Sequence, residues 1–164
     1  MMIFSSFSNI KFDDVNTNAK VKVMFIYNFT KYIEWPAEYK KGDFVIGMLG
    51  TSSLYPELQK MKLNKKRGNQ SFEIIKYSSV DAIEKCHILF IAKESSDLLN
   101  SSANILNGKC TLIVTEKPGL IDKGTAINFV ITNNKQGFEL NRDIVKDHGL
   151  SLSASLVAFA VKVI

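Results

Sequence analysis

The hydrophobic pattern of the chain begins with an amphipathic helix. Over residues 21–36, at 100° per residue, the larger apolar side chains fall on one broad arc that can pack against a sheet; they are Val21, Phe25, Ile26, Phe29, Tyr32 and Ile33. Pro36 disfavours helical backbone at the residue before it, so we expect the helix to end at Trp35 and to place that ring as a structural anchor. Val23, Met24 and Tyr27 interrupt the polar arc, which indicates a second contact, either with more of the chain's own core or with a partner.

Strand-like apolar runs then alternate with helix-like segments. The runs cover residues 44–50, 72–78, 87–92 and 111–116, and helices are expected at 53–61, 79–85 and 96–107. Strands that alternate with helices favour right-handed crossovers and a parallel sheet. A hairpin through residues 133–136 joins two further strand-like runs. The predicted fold is α/β: a three-layer, mostly parallel sheet of about four parallel strands plus a C-terminal antiparallel hairpin, with helices on both faces.

The C-terminal segment is expected to form a short helix over 141–148 and a last helix that runs towards Ile164. The inward stripe of the last helix holds Leu152, Leu156, Phe159 and Val163. Val157 and Val161 lie on its opposite side, which is unusually apolar for a soluble monomer.

Two candidate interaction surfaces follow from these patterns. We predict that Val157 and Val161 contribute, with Met24 and Tyr27, to an exposed apolar patch for a partner or a second copy of the chain. Packing beneath the N-terminal arm is the alternative. The polar strand residues Glu139, Asn141 and Arg142 form the second candidate surface.

Length and composition permit one domain with a substantial core, since 46% of the 164 residues are hydrophobic. We assign residues 19–164 to a single domain, and residues 1–18 to an N-terminal arm or the remnant of a signal peptide whose beginning lies upstream. Polar residues 11–18 are interpreted as a linker into the first helix. No apolar run has the length of a transmembrane helix.

The formal net charge of +5 has its densest basic cluster in one polar loop, which contains Lys60, Lys62, Lys65, Lys66 and Arg67. No nucleic-acid-binding motif accompanies the cluster. We interpret it as a solvated loop and predict no nucleic-acid partner; attraction to an anionic surface is the intermediate interpretation.

Candidate chemistry is sparse. Cys86 and His87 are neighbours at the start of an apolar strand, but adjacent strand residues point to opposite faces, so they do not form a nucleophile pair. Histidines and cysteines also lack the spacing of a metal site. We therefore predict no catalytic residues, no metal and no cofactor.

One loop is a candidate ligand site. Gly50, Thr51, Ser52 and Ser53 follow the first strand, where their backbone N–H groups could bind an anion. With residues 93–96 they lie at the carboxyl ends of strands, where open parallel sheets bind ligands. Helix capping by Ser52 or Ser53 is the alternative explanation.

Several sequence blocks together resemble the YfiR family of small bacterial extracytoplasmic regulators. The block FxxNFxKYxEWP ends at Pro36 and is followed by FVIGMLG. CHILFIA at 86–92, TLIVTE with its turn at 111–124, and GFELNRDIVKDHGLSLSASLVAFA at 137–160 follow in order. The resemblance covers roughly residues 19–162.

The resemblance implies a periplasmic, non-enzymatic protein that does not itself span the membrane. It implies binding to the periplasmic region of a membrane signalling protein, a diguanylate cyclase or a sensor kinase, which is held inactive. Release of the partner would raise cyclic-di-GMP and favour biofilm formation. A small-ligand-binding sensor that uses the carboxyl-end loops is the alternative function.

A disulfide between Cys86 and Cys110 is compatible with their placement before successive strands. If those strands are parallel neighbours in register, their first residues lie about 5 Å apart, within disulfide range. Two buried free thiols are the alternative. Because the resemblance is to exported proteins, we predict that the two cysteines are bonded.

Overall fold

The computed structural model describes residues 10–164, with side chains from residue 16 onward. Its helices are α1 Ile10–Tyr32, α2 Leu54–Asn64, α3 Leu99–Ile105, α4 Arg142–Asp147 and α5 Ala154–Phe159. Its strands are β1 Ile33–Glu34, β2 Phe44–Leu49, β3 Lys66–Arg67, β4 Gln70–Tyr77, β5 Ile88–Ile91, β6 Leu112–Thr115, β7 Ile127–Thr132, β8 Lys135–Leu140, β9 Ser151–Leu152 and β10 Lys162–Val163. The first nine residues of the predicted arm lie outside the described residues.

The main sheet has the order β10-β8-β7-β6-β5-β2-β4-β3. Strands β4, β2, β5, β6 and β7 run parallel, and β8 returns antiparallel to β7. The predicted fold class is confirmed, with one difference: β7, the first strand of the predicted hairpin, also joins the parallel set. Its first residues pair with the end of β6, so the parallel part of the sheet is one strand wider than expected.

Two apolar clusters occupy the two faces of this sheet. The larger cluster lies beneath α1, α2, α4 and α5, and at its centre the rings of Phe25, Phe29, Phe129 and Phe138 contact one another. The smaller cluster lies on the other face, beneath α3 and the 3-10 turn Val80–Ala82. Gly47 permits close packing there, because a Cβ at this position would lie 2.3 Å from a ring carbon of Tyr77.

Helix α1 is longer at its start than the sequence predicts. It begins at Ile10, so the segment 11–18, which was expected to be a linker, is helical. Its predicted apolar arc, except for Val21, is buried or half-buried in the larger cluster. Val23 is also buried, and Tyr27 packs edge-on against Phe72 of β4. For these two residues the second contact is therefore the chain's own core, and Met24 remains 65% exposed.

The C-terminal end of α1 is held by Arg67, which lies on β3. Its Nε donates to the carbonyl of Thr30 at 2.6 Å, and a terminal nitrogen donates to the carbonyl of Ile33 at 3.4 Å. The N–H of Ser153 donates to the carbonyl of Tyr32 at 2.9 Å. The carbonyls of Thr30 and Tyr32 lie at the end of a helix, where no partner is available within the helix. The basic segment, expected to be a solvated loop, is instead part of the fold, since Lys60 and Lys62 lie on α2 and Lys66 and Arg67 form β3.

Trp35 is a buried anchor, as predicted, with 2% of its surface exposed. However, α1 ends at Tyr32 rather than at Trp35, because Ile33–Glu34 form β1 and pair with β9. Its Nε1 donates to the carbonyl of Cys110 at 3.0 Å, and its ring meets Phe44 edge-on. The Arg67 guanidinium lies 5.5 Å from the ring centroids of both Trp35 and Phe44. We call Trp35, Phe44, Arg67 and His87 the aromatic anchor.

Several predicted helices are shorter than expected. The segment 96–107 is α-helical only over Leu99–Ile105, since Lys93–Leu98 form a 3-10 helix. The segment 79–85 forms only the 3-10 turn Val80–Ala82. The last helix ends at Phe159 rather than running to Ile164, and residues 162–163 form β10. Pairing with β8 explains this difference, because β8 would otherwise leave its outer backbone groups without partners. Phe159, expected to point inward, is 62% exposed as a result.

Candidate partner-binding surfaces and ligand cleft

The exposed large apolar side chains of the described residues fall in two regions. Met24 and Leu63 are exposed on α1 and α2, at one side of the molecule. The others lie near the opposite edge of the sheet, where β7, β8 and β10 meet; they are Ile131, Phe159, Val161 and Ile164. The four residues of the predicted patch are therefore not brought together, since Met24 and Tyr27 lie beside α2 whereas Val161 lies on the β10 side.

The first region is a groove between α1 and α2, which we call the lysine groove. It has a volume of about 260 Å³ and is lined by Lys20, Val23, Met24, Tyr27, Glu57, Lys60, Met61, Asn64 and Lys65. We include Lys31 in the lysine groove, because it lies at the ring of Tyr27 in the adjoining depression. Helical spacing explains how the two helices build it, because residues three or four apart share a face. Apolar side chains form the floor, and ammonium groups lie at the rim.

Tyr27 joins the apolar floor to the basic rim. The Lys31 ammonium lies 4.2 Å from the centre of the Tyr27 ring, and the Lys65 ammonium lies 5.4 Å from it. Glu57 accepts from Lys60 at 2.8 Å. Among the described side chains, neither Lys31 nor Lys65 forms an ion pair. The groove is thus apolar inside and carries uncompensated positive charge at its edge.

The second region is the edge formed by β10. The N–H of Val161 donates to the carbonyl of Phe138 at 2.9 Å, which ties this segment to β8. Gly137 allows the approach, because a Cβ there would lie 2.8 Å from a methyl group of Val161. Val161 is 51% exposed, but Val157 is partly buried and packs against the larger cluster. Val157 therefore faces the core more than the predicted outward side.

The three residues of the predicted polar surface have different roles in the structure. Glu139 is half-buried and pairs in register with Lys162 of β10. Asn141 caps α4, since its Oδ1 accepts from the N–H of Ile144 at 3.0 Å. Arg142 is exposed, and its backbone N–H donates to the carbonyl of Ile164 at 2.8 Å. Asn141 is thus explained by helix capping, whereas Glu139 and Arg142 remain accessible.

The predicted ligand loop lies at one wall of a separate cleft. The cleft is about 590 Å³ in volume and forms at the carboxyl ends of β2, β5 and β6, lined by residues that include Thr51, Ser52, Ser53, Lys93 and Glu116. Ser52 Oγ accepts from the N–H of Leu54, so capping accounts for one of the predicted hydroxyls. Glu116 accepts from Lys22 Nζ at 2.8 Å and from the N–H of Lys93 at 3.0 Å.

The glycine at position 50, in the same loop, is required by the backbone conformation there. Its φ is +85°, a left-handed conformation that favours glycine. A Cβ there would also lie 2.4 Å from Ser95 Oγ. The glycine therefore allows the loop after β2 to approach the segment after β5, and it lies behind the cleft rather than among its lining residues.

His87 is a core residue of the aromatic anchor. Its Nδ1 accepts from the N–H of Val45 at 3.0 Å, so its Nε2 carries the proton and donates to the carbonyl of Tyr39 at 2.6 Å. Burial lowers the pKa of His87, and its ring stacks on Phe44. Both ring nitrogens are occupied, which leaves neither for acid–base chemistry.

The predicted disulfide is absent from the structure, where Cys86 and Cys110 are both free. Cys86 belongs to the smaller apolar cluster, whereas Cys110 packs against the larger one. Although their strands are neighbours in register, the two side chains therefore lie on opposite faces of the sheet. Burial raises the pKa of Cys86 to about 12 and also raises the pKa of Cys110, so both thiols stay protonated at neutral pH.

The described part of the chain contains no cluster of three or more potential metal ligands. None of its helices combines the length and the apolar character that a membrane span requires.

Sequence reasoning missed the most distinctive residues of the lysine groove. The sequence pattern places Lys31 on the polar arc of the first helix and Lys65 in the basic segment, yet both ammonium groups lie near the ring of Tyr27, at 4.2 and 5.4 Å from its centroid. The available signal was the presence of an aromatic residue four positions before Lys31 on one helix. The contribution of Lys65 had no local signal, because it depends on how α2 packs beside α1.

Comparisons with known proteins agree with this architecture. A solved structure described as a conserved domain protein from Vibrio cholerae O1 biovar El Tor has a TM-score of 0.59 and 11% identity, over 89% of this chain and 60% of that one. An ABC domain from Streptococcus pneumoniae in complex with L-Trp has a TM-score of 0.53 and 12% identity, over 73% of this chain and 55% of that one. The chain thus spans little more than half the length of either. At these identities the likeness shows the fold alone.

Sequence comparison identifies the family directly. A search of curated proteins finds no match. The model of the family described as YfiR/HmsC-like matches residues 19–161, which include every strand of the main sheet except the last. This chain therefore belongs to the YfiR/HmsC-like family.

Proposed function

We propose that this chain is a non-enzymatic, periplasmic regulator that binds the periplasmic region of a membrane signalling protein, a diguanylate cyclase, and represses it. The match to the YfiR/HmsC-like family over residues 19–161 carries this proposal. Exposed apolar side chains on a well-packed α/β scaffold support it. Such a surface is already ordered before binding, so the burial of its apolar side chains contributes directly to the binding free energy.

Repression by binding requires a difference in affinity between two states of the partner. A regulator that moves a cyclase from 99% active to 99% inactive must bind the inactive state about 10⁴-fold more tightly, or about 5.5 kcal/mol. Burial of one large apolar side chain contributes roughly 1.5–3 kcal/mol. A few anchors such as Met24 or Val161, both more than half exposed here, are thus of the right order.

Co-expression tests this function. The exported chain is produced together with the full-length membrane diguanylate cyclase encoded nearest to its gene, in a strain with a cyclic-di-GMP reporter. We expect the reporter signal to fall when the chain is present. A cyclase that lacks its periplasmic region is the control and should be unaffected. An unchanged signal with the full-length cyclase, or equal repression of the truncated one, would contradict the proposal.

A second function is favoured by the cleft at the carboxyl ends of β2, β5 and β6. Its volume of about 590 Å³ lies within the ~300–1,000 Å³ of typical small-molecule sites. The Lys22–Glu116 pair offers one group of each charge, which suits a ligand that itself carries both. The streptococcal neighbour is described in complex with L-Trp. Titration of zwitterionic metabolites followed by NMR tests this sensor function, and the absence of shifts at Thr51 and Lys93 would reject it.

A further inference from the structure

We propose that the lysine groove binds an acidic amphipathic helix of a partner protein, and we infer this on the basis of the function proposed above. The groove is defined by α1 and α2, with Met24, Tyr27 and Met61 in its apolar floor. Its occupant would place apolar side chains at helical spacing on this floor, with carboxylates towards the lysines.

The size of the groove favours side-chain anchors over a metabolite. Its volume of about 260 Å³ is below the ~300–1,000 Å³ of sites that enclose a small-molecule ligand. A second depression of about 360 Å³ also has Tyr27 in its wall and adds Lys31, Lys66 and Arg67. The two depressions share Tyr27, and their lining residues follow α1 from Lys20 to Lys31, which suits a helix laid along α1.

The charge of the surface selects an acidic partner. Lys31 and Lys65 hold their ammonium groups near one ring, at 4.2 and 5.4 Å from its centroid, so the two like charges lie in each other's field. A carboxylate beside either ammonium would relieve this repulsion and form a charge-assisted contact. The acids of these two depressions already have partners within the chain, since Glu57 bonds Lys60 and Glu34 bonds Lys40.

The exposure of Met24 supports an apolar contact at the same place. It is 65% exposed, while its neighbour Val23 is buried at 8%. Methionine adapts its shape to different partners, which is why it is frequent on helix-binding surfaces. An acidic helix with apolar anchors matches both the floor and the rim, whereas an acidic segment without anchors would match the rim alone.

Matched synthetic helices test the proposal with the full chain. Two 18-residue peptides share one leucine face; one carries glutamates and the other lysines on its polar face. We expect the acidic peptide to bind in calorimetric titrations and the basic peptide to bind at least tenfold more weakly. In NMR spectra, shifts should concentrate on Met24, Tyr27 and Met61. Affinity for the acidic peptide should fall as salt rises.

Variants distinguish this surface from others. Lys31→Glu with Lys65→Glu should weaken the acidic peptide at least tenfold and strengthen the basic one. The control, Lys117→Glu with Lys123→Glu, changes the net charge equally at exposed sites outside the groove and should have no effect. Met24→Asp should weaken the acidic peptide at least tenfold, whereas Leu63→Asp, at a more exposed residue that does not line the groove, should not. Circular dichroism confirms that each variant is folded.

Several outcomes overturn the proposal. They are no binding of the acidic peptide, equal binding of both peptides, or shifts confined to the β10 edge. Binding to phosphatidylglycerol vesicles without peptide binding would identify an anionic membrane instead, and loss of dimer mass in the Met24→Asp variant would identify a second copy. The cyclase reporter distinguishes the proposed function from the proposed binding site. If the acidic peptide binds but the cyclase is not repressed, repression is rejected as the function while the lysine groove remains a helix-binding site. If the Lys31→Glu, Lys65→Glu variant still represses the cyclase, the lysine groove is not the docking site, while repression remains the proposed function.

Discussion

Arg67 and Lys65 lie two positions apart in the same basic segment, yet Arg67 makes structural contacts whereas Lys65 lies at an open surface. Arg67 donates to the carbonyls of Thr30 and Ile33 and lies against Trp35, so its charge is committed to the fold. Lys65 contacts the ring of Tyr27 at the rim of an open groove. The aromatic anchor and the lysine groove are therefore neighbouring regions with different purposes.

The difference follows from the chemistry of the two cations. A guanidinium presents several N–H donors in one plane and stacks on aromatic rings, so it can bridge a helix end and a strand. A lysine ammonium is a mobile point charge that remains hydrated at a surface. We therefore expect changes in the aromatic anchor to alter stability and changes in the lysine groove to alter binding.

The largest effect is expected at Trp35. Replacement by alanine removes a ring that is 2% exposed and a hydrogen bond to the Cys110 carbonyl, so the free energy of unfolding should fall by about 3–5 kcal/mol. Urea denaturation measures this change. Phe159→Ala removes a 62% exposed ring and should change stability by less than about 0.5 kcal/mol. A similar loss for both variants would show that Trp35 has no special anchoring role.

Arg67→Lys is expected to give the next largest effect. A lysine cannot reach Thr30 and Ile33 together, so at least one carbonyl loses a charged donor and stability should fall by about 1.5–3 kcal/mol. Thermal and urea unfolding measure the loss. If Arg67→Lys is as stable as wild type, the contacts at the end of α1 contribute nothing and the comparison fails.

The burial of His87 in the aromatic anchor predicts that the free energy of unfolding depends on pH. Burial lowers its pKa from 6.5 in the folded state, so below about pH 6.5 the unfolded chain binds a proton that the folded chain does not. Its contribution to stability is therefore complete above that pH and is lost as the pH falls towards the folded pKa. Urea melts at intervals between about pH 5 and pH 7 measure the slope. The slope should flatten in the His87→Gln variant, and an unchanged slope would assign it to other groups.

The two thiols give a prediction without a change in sequence. Because Cys86 and Cys110 lie on opposite faces of the sheet, we expect both to be free in folded protein, with Cys86 slow to alkylate since its pKa is raised to about 12. Mass mapping under non-reducing conditions measures this. A Cys86–Cys110 cross-linked peptide would show that one of the strands turns its first residue to the other face.

The smallest effect on stability is expected in the groove. Lys65→Ala and Lys31→Ala remove exposed ammonium groups that lie near the ring of Tyr27 and form no ion pair among the described side chains, so each should change the free energy of unfolding by less than about 0.5 kcal/mol. The same melts as for Arg67→Lys measure it. A loss above 1 kcal/mol would mean that the lysines hold α1 against α2 and are part of the fold.

Sequence periodicity predicted the elements that depend on local pattern. The apolar arc of α1, the strands β2, β4, β5 and β6, and the position of Trp35 all follow from side-chain spacing and from Pro36. The turn of the chain into β10 could not be predicted, because it depends on the unpaired edge of β8, which is distant in sequence. The faces of Cys86 and Cys110 were missed because both residues precede their strands, where strict alternation does not hold.

Only part of the lysine groove could be predicted from the sequence. Met24 and Tyr27 stood out as apolar residues on a polar arc, and the structure places both in the groove. Their division into a core contact for Tyr27 and a free surface for Met24 depends on the position of β4, since Tyr27 packs against Phe72 of that strand. The distinct roles of Lys65 and Arg67 likewise depend on tertiary contacts, since both read as charges in a loop.

One paired experiment tests the division between anchor and groove most directly. The Lys31→Glu, Lys65→Glu variant and the Arg67→Lys variant are each measured for unfolding free energy and for repression of the diguanylate cyclase reporter. The account predicts that the first variant is as stable as wild type but no longer represses, whereas the second is less stable by about 1.5–3 kcal/mol and still represses while folded. Full repression by the Lys31→Glu, Lys65→Glu variant at wild-type stability would contradict the account.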